Sequence, residues 1–281
     1  MCAHEGRPDV AALLAAGTAA LLPDDTARID CEVLLAHAIG ADRTTLYREP
    51  ERRIGAAQQA TFERLISERA RGRPVAQLVG HAEFWSLSFE VDEHVLIPRP
   101  ETELLVELTL ARAIPDAVIV DLGCGSGAIS VALARELPAA TIAATDFSAP
   151  ALAVASRNAR RLGADRVRFL RADWLTPFGG SCVDILVSNP PYVEAGDPRL
   201  VESDIRFEPR AALAAGADGL AAIRQIVAAA RSVLRPGGWL LLEHGYNQAQ
   251  AVHELFRRAR FGDITTNADL GGRDRITSGR R

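Results

Sequence analysis

The feature that most constrains this chain is an alternation beginning at Val118. Short runs of Val, Ile and Leu are each followed by a segment whose apolar residues recur at helical spacing. Val118 to Val120 predicts a strand, Ala128 to Arg135 a helix, Thr141 to Thr145 a strand, Ala149 to Leu162 a helix and Val167 to Leu170 a strand. Val183 to Val187 and Trp239 to Leu242 predict further strands, with helices over Gly219 to Leu234 and Gln248 to Arg260. Ile264 to Thr266 and Arg275 to Thr277 read as a closing antiparallel pair joined through Gly271 and Gly272. Such an order implies an α/β, doubly wound sheet whose ligands lie at the carboxyl ends of its strands.

Upstream the period changes. Val10, Leu13 and Leu14, then Ile29, Val33 and Leu34, then Phe62, Leu65 and Ile66 recur near 3.6, so residues 1–78 read as a bundle of three or four helices. Phe84, Leu87, Phe89 and Val91 alternate instead, predicting a β-hairpin linker over 79–98 before a larger domain at 99–281. Pro100 suits the first turn of a helix, and Glu101 and Glu103 sit where the helix dipole favours negative charge. Arg99, beside this turn, is a candidate active-site contributor. Arg64, Arg69, Arg71 and Arg73 read either as a solvated face or as a docking surface.

Composition excludes several classes. Of 281 residues 48% are hydrophobic, enough for one sizeable domain and a smaller one. No apolar run approaches a membrane span, and Met1 to Asp9 is too polar for a signal peptide, so a soluble cytoplasmic protein is expected. Cys2, Cys31, Cys124 and Cys182 are scattered without metal-ligand or disulfide spacing. A net charge of −4 argues against bare nucleic acid as the main ligand.

The strand ends carry the chemistry. Asp121-Leu122-Gly123-Cys124-Gly125-Ser126-Gly127 places alternate glycines between the first strand and a helix N-terminus, which lets a ligand approach the backbone. A phosphate would face the Asp121 carboxylate across a short gap, so a ligand with an ammonium group fits better. S-adenosylmethionine has one, with a sulfonium in place of a pyrophosphate. Asp146 ends the second strand, where an acidic side chain can accept from both ribose hydroxyls. Asp173-Trp174 ends the third, offering an acceptor for an adenine amine and an indole to stack on the ring.

The fourth strand ends in Ser188-Asn189-Pro190-Pro191-Tyr192. Prolines stop the strand, stiffen the turn and supply no N–H. What remains is the Asn189 side-chain oxygen, the Pro190 carbonyl and the Tyr192 face, a set suited to gripping a planar group that carries an NH2. Such a nitrogen is a poor nucleophile because its lone pair is delocalised. Accepting its two hydrogens would hold it, favour its rehybridisation and stabilise the positive charge that develops as a methyl arrives. Alignment of the two reactants can contribute ~7 to 11 kcal/mol more. No metal or strong base is required.

Together these residues resemble the bacterial peptide chain release factor N5-glutamine methyltransferases, the PrmC or HemK family. The likeness runs through Arg28 to Gly40, Gly80 to Phe89, Leu96 to Glu103, Asp121 to Ile129, Asp173-Trp174, Ser188 to Tyr192, Phe207-Glu208-Pro209 and Leu241 to Gly245. The resemblance implies a seven-stranded, Rossmann-like class I methyltransferase domain preceded by a helical domain that recognises the release factor. It also implies methyl transfer from S-adenosylmethionine, leaving S-adenosylhomocysteine, to the glutamine of the GGQ loop in class 1 release factors. Asp121, Gly123 to Gly127, Asp146, Asp173, Trp174 and Asn189 would contact the cofactor, and Asn189, Pro190, Pro191 and Tyr192 the substrate. Asn189, Pro190 and Tyr192 would be catalytic. Cys124 stands where many relatives carry threonine. The implied enzyme is a cytoplasmic monomer with no direct nucleic-acid or membrane contact. A ribosomal protein L3 glutamine, or the amines of adenine and guanine, are the alternatives that the same grip would suit.

Overall fold

The computed structural model describes residues 7–202 and 204–281, so Cys2 and most of the polar Met1 to Asp9 stretch lie outside the described residues. The chain divides into two compact units with the break after Gly80.

The first unit is helical. Asp9 accepts from the Ala12 N–H at 2.9 Å and so starts α1 (Val10–Leu21). α2 (Ala27–Ile39) ends on Gly40 in the left-handed region, and Asp42 then caps a short α3 (Arg43–Arg48). α4 (Ala56–Ala70) and the brief α5 (Val75–Val79) follow. Among the described residues five helices stand where three or four are expected, the added ones being among the short elements α3 and α5, which are too brief to carry an apolar period of their own. Leu13, Leu34, Leu35, Phe62 and Leu65 form the core, each contributing ~1.5 to 3 kcal/mol by its burial. Glu32, only 2% exposed, lies under Arg28, Arg43 and the Tyr47 hydroxyl at 2.6 to 2.7 Å.

In the second unit β1 (His81–Phe84) and β2 (Leu87–Glu90) form an antiparallel hairpin. Phe84 and Phe89 meet edge to face at 6.1 Å inside this unit's own core, so the hairpin is packed rather than a free connector. A 3-10 turn over Pro100–Thr102 leads into α6 (Glu103–Leu110). There follow β3 (Val118–Leu122), α7 (Ala128–Glu136), β4 (Thr141–Asp146), α8 (Ala149–Arg161), β5 (Arg168–Arg171) and β6 (Val183–Ser188). The chain continues through α9 (Arg199–Glu202), α10 (Arg210–Leu213), α11 (Ala221–Val233), β7 (Leu234–Glu243), α12 (Ala249–Arg258), β8 (Gly262–Ala268) and β9 (Asp274–Arg280).

The seven-stranded sheet has the order β5-β4-β3-β6-β7-β9-β8, parallel except at β9 and β8. Alternate residues of β3 feed opposite faces: Ile119 packs with Val131 and Leu133 on one side, Val120 and Leu122 with Ile223 and Ile226 on the other. β7 starts five residues earlier than its apolar run, at Leu234, because Leu234 pairs with Val183 before a bulge absorbs Arg235 to Gly238. From β3 the chain winds outward through β4 and β5, and from β6 it winds the other way. The crevice at this reversal lies beyond the carboxyl ends of β3 and β6, where the glycine loop and the Asn-Pro-Pro-Tyr turn stand.

Candidate active site

The glycine loop is fixed from below. The N–H groups of Gly123 and Cys124 donate to the Thr145 carbonyl at 2.8 and 3.0 Å, tying the loop to the end of β4. Asp146 accepts from the Gly125 N–H at 3.0 Å through one oxygen and from Ser148 N–H at 2.9 Å through the other. It is therefore a support of the loop as well as part of the cavity wall. Gly125 has φ +52°, and a side chain added there would meet nothing within 4 Å: the loop leaves open space against its backbone.

That space is a cavity of about 380 Å³ lined by Gly123, Gly125, Asp146, Asp173, Trp174 and Asn189, among others. Trp174 adopts φ +46° and sets its ring 3.1 Å from where a Gly123 Cβ would be. Asp173 is exposed at the rim, within 3.3 Å of the Gln225 amide. Asp121, Cys124, Ser126 and Gly127 stand behind the loop and do not line the cavity. Asp121 is fully buried. One oxygen accepts from Ser130 N–H at 3.2 Å, the other has no partner, and burial pushes its carboxyl up to about 7.

A second cavity, of about 320 Å³, lies on the other side of the turn. Asn189, Pro190, Tyr192, Arg99, Tyr246 and Arg275 line it, while Pro191 faces the first. Asn189 belongs to both walls. Arg99 pairs with Glu208, which is 1% exposed and also accepts from Ile97 N–H at 2.9 Å, so the guanidinium is held at the cavity edge.

Several positioning residues escaped the sequence reading. Gln248 donates to the Tyr192 carbonyl at 3.0 Å and to that of Asp218 at 3.3 Å, and its own oxygen accepts from Gly245 N–H at 2.9 Å. Gly219, at φ +70°, passes so close that a Cβ would sit 2.3 Å from the Tyr192 carbonyl oxygen. Asn158 on α8 donates to the carbonyls of Ser126 and Glu90, each at 3.0 Å, and so joins the glycine loop to β2. Thr102 and Glu243, buried at 5% and 1% exposure, meet at 2.7 Å. Asn189 Nδ2 donates to Thr102 Oγ1 at 3.0 Å, and the Tyr192 hydroxyl donates to Glu243 at 3.3 Å. The sequence signals nearest to Thr102 and Glu243 are the stretches Ile97 to Glu103 and Leu241 to Gly245, which carry the resemblance without marking either residue.

The arginine run resolves differently. Arg69, with a side chain 9% exposed, bridges Asp24 at 3.0 Å and Asp30 at 2.7 Å, and Arg71 meets Glu68 at 2.5 Å. Only part of the run is a free face. Among the described residues, no helix is long and apolar enough to cross a membrane.

Comparison with known proteins reaches both units. Residues 12–80 match the PrmC N-terminal domain and residues 100–208 the methyltransferase small domain. Solved structures of a ribosomal protein L11 methylase from Lactobacillus delbrueckii subsp. bulgaricus and a methyltransferase from Pyrococcus furiosus each superpose with a TM-score of 0.51. They are 19% and 16% identical, cover 68% and 78% of this chain and 83% and 96% of their own, and speak to the fold alone. The release factor glutamine methyltransferase of Xylella fastidiosa (strain Temecula1) is 46% identical over 97% of this chain and 98% of its own. That of Pseudomonas aeruginosa is 49% identical over 92% and 94%, and that of Escherichia coli 42% over the same shares. With this identity across both units, the chain belongs to the release factor glutamine methyltransferase family.

Proposed function

We propose that the two cavities meeting at Asn189 hold the methyl donor on one side and the glutamine side chain of a class 1 release factor on the other. The shared wall at Asn189 carries this reading, because a group lining both spaces can touch donor and acceptor at once. The first cavity fits S-adenosylmethionine in its chemistry: an uncovered glycine backbone, an indole, and carboxylates at successive strand ends. Gly123, Gly125, Asp146, Asp173 and Trp174 would hold it, with Cys124, Ser126 and Gly127 shaping the loop. Bound there, it supplies an electrophilic methyl on a sulfonium. Asp121, fully buried behind the loop with one oxygen unpartnered, would favour the cationic end of the donor through its field rather than by lining the cavity.

On the other side, Asn189 Oδ1 and the Pro190 carbonyl have no hydrogen-bond donor among the described residues. They accept the two hydrogens of the incoming amide and orient its nitrogen at the methyl. Tyr192 excludes water and stacks on the amide plane, while Pro191 closes the donor side of the turn. The bonds tighten as charge develops on nitrogen, so they act on the rate.

The reading extends to partners. The helical unit, matching the PrmC N-terminal domain over residues 12–80, recognises the release factor. The enzyme works as a cytoplasmic monomer on this protein substrate, and its net charge of −4 agrees with the absence of direct nucleic-acid binding. Transfer of labelled methyl to a release factor, to the same factor with its GGQ glutamine replaced, to ribosomal protein L3 and to DNA tests this. Label on the intact release factor alone is expected. Label on L3 or DNA but not on the release factor would overturn it.

A further inference from the structure

An asparagine amide is nearly symmetric in shape, and the grip works only if its oxygen faces the substrate. Turned over, Asn189 would present two donors to an NH2 that has only hydrogens to offer. Nothing in the turn itself decides the matter: the two prolines fix backbone angles and leave the terminal torsion broad.

The decision comes from two residues that do not touch the substrate. The sheet register sets Ser188 beside Leu242, which places Asn189 next to Glu243 at the neighbouring strand end. Between them stands Thr102, from the turn that starts α6, with its hydroxyl 2.7 Å from Glu243 Oε2 and 3.0 Å from Asn189 Nδ2. A carboxylate only accepts, so the single Thr102 proton points to Glu243. The Thr102 oxygen can then only accept, and what it accepts is an Asn189 N–H. We propose that Glu243 and Thr102 form a polarity relay that locks the Asn189 amide with Nδ2 inward and Oδ1 toward the substrate cavity.

Thr102 and Glu243 are buried, at 5% and 1% exposure, so water does not compete for the bond between them, and the Asn189 bond to Thr102 is half-buried. The other Glu243 oxygen takes the Tyr192 hydroxyl at 3.3 Å, extending the same polarity to the second arm of the turn. Thr102 and Glu243 are thus positioning residues. The proposal rests on Asn189 Oδ1 accepting from the substrate amide.

The test reads the amide directly. The chain has four asparagines, Asn158, Asn189, Asn247 and Asn267, so nitrogen-labelled asparagine gives a simple side-chain NMR spectrum in which Asn189 is the pair missing from Asn189→Ala. One Asn189 amide proton should exchange slowly with solvent in the wild-type enzyme and in Thr102→Ser, which keeps the hydroxyl. Thr102→Val should lose that protection and about tenfold or more in kcat, with KM for the donor within about threefold. Fast exchange of the Asn189 amide in the folded wild-type enzyme would overturn the proposal without any variant. So would a folded Thr102→Val enzyme with protection and kcat unchanged. If that result accompanied an inactive Asn189→Ala, the relay alone would fall. An active Asn189→Ala would instead remove the acceptor reading on which the relay depends.

Discussion

Glu32 in the helical unit and Glu243 in the methyltransferase unit are buried to nearly the same degree, 2% and 1% exposed, and are treated in opposite ways. Burial would raise the Glu32 carboxyl, but Tyr47, Arg43 and Arg28 outweigh it and hold the group below its ordinary value. Glu243 has two hydroxyls, with Arg275 acting on it from a distance and Glu101 opposing. Burial wins there, and the carboxyl is pushed up to about 7. The first arrangement is a staple, in which every charge is matched on the spot. The second leaves a carboxylate under-compensated at a strand end beside the Asn-Pro-Pro-Tyr turn, which costs stability and needs another reason to exist. Orienting Asn189 is such a reason.

The largest way to sharpen the contrast is to remove the group that Glu243 serves. Asn189→Ala should lower kcat by about a hundredfold or more with donor affinity within a few-fold and thermal midpoint unchanged, by steady-state kinetics and calorimetry. Glu243→Gln should raise stability. Its folded carboxyl titrates near 7 against 4.5 as an isolated group, so across that window the folded state keeps a proton that the unfolded state has lost, and stability falls as pH rises. Above the window the wild type has forfeited about 3 kcal/mol that the neutral variant retains, and urea unfolding at alkaline and acid pH reads the difference. Glu32→Gln should go the other way, losing about 1 to 2 kcal/mol at neutral pH with kcat unchanged, since its partners are half-exposed and partly screened. A destabilised Glu243→Gln, or an unaffected Glu32→Gln, would erase the distinction. Least is expected of the arginine run: Arg64→Gln with Arg71→Gln should shift stability by under about 0.5 kcal/mol, and an unchanged KM for release factor would remove its docking role.

The sheet was legible in advance because its strands are buried on both faces and its helices are amphipathic, so the period itself gives the order. The lining of the first cavity was legible where its residues follow strand ends, as at Gly123, Asp146, Trp174 and Asn189. Asp121 was less so: its position in the loop motif is plain, yet whether its carboxyl faces the cavity or the core depends on packing with Ser130 and α7. Thr102 and Glu243 were least legible. They lie 141 positions apart, and their meaning comes from which atom donates to which, something that neither spacing nor hydropathy encodes. The basic run was legible only as charge, since the acids that absorb Arg69 come from elsewhere in the helical unit.

The relay is tested most directly by the pH dependence of kcat at saturating donor and release factor, where the binding role proposed for Asp121 is not expressed. With Glu243 ionised, Thr102 donates to it and Asn189 is held in register. Protonated, Glu243 can donate to Thr102 and release the amide. Of the groups around Glu243, Tyr192 has its hydroxyl raised by burial and Arg275 stays cationic, so neither titrates in this range. The wild-type enzyme should lose kcat on the acid side with an apparent pKa near 7, and Glu243→Gln should lose that limb. An acid limb that persists unchanged in Glu243→Gln, or a wild-type kcat flat through this range, would contradict the account.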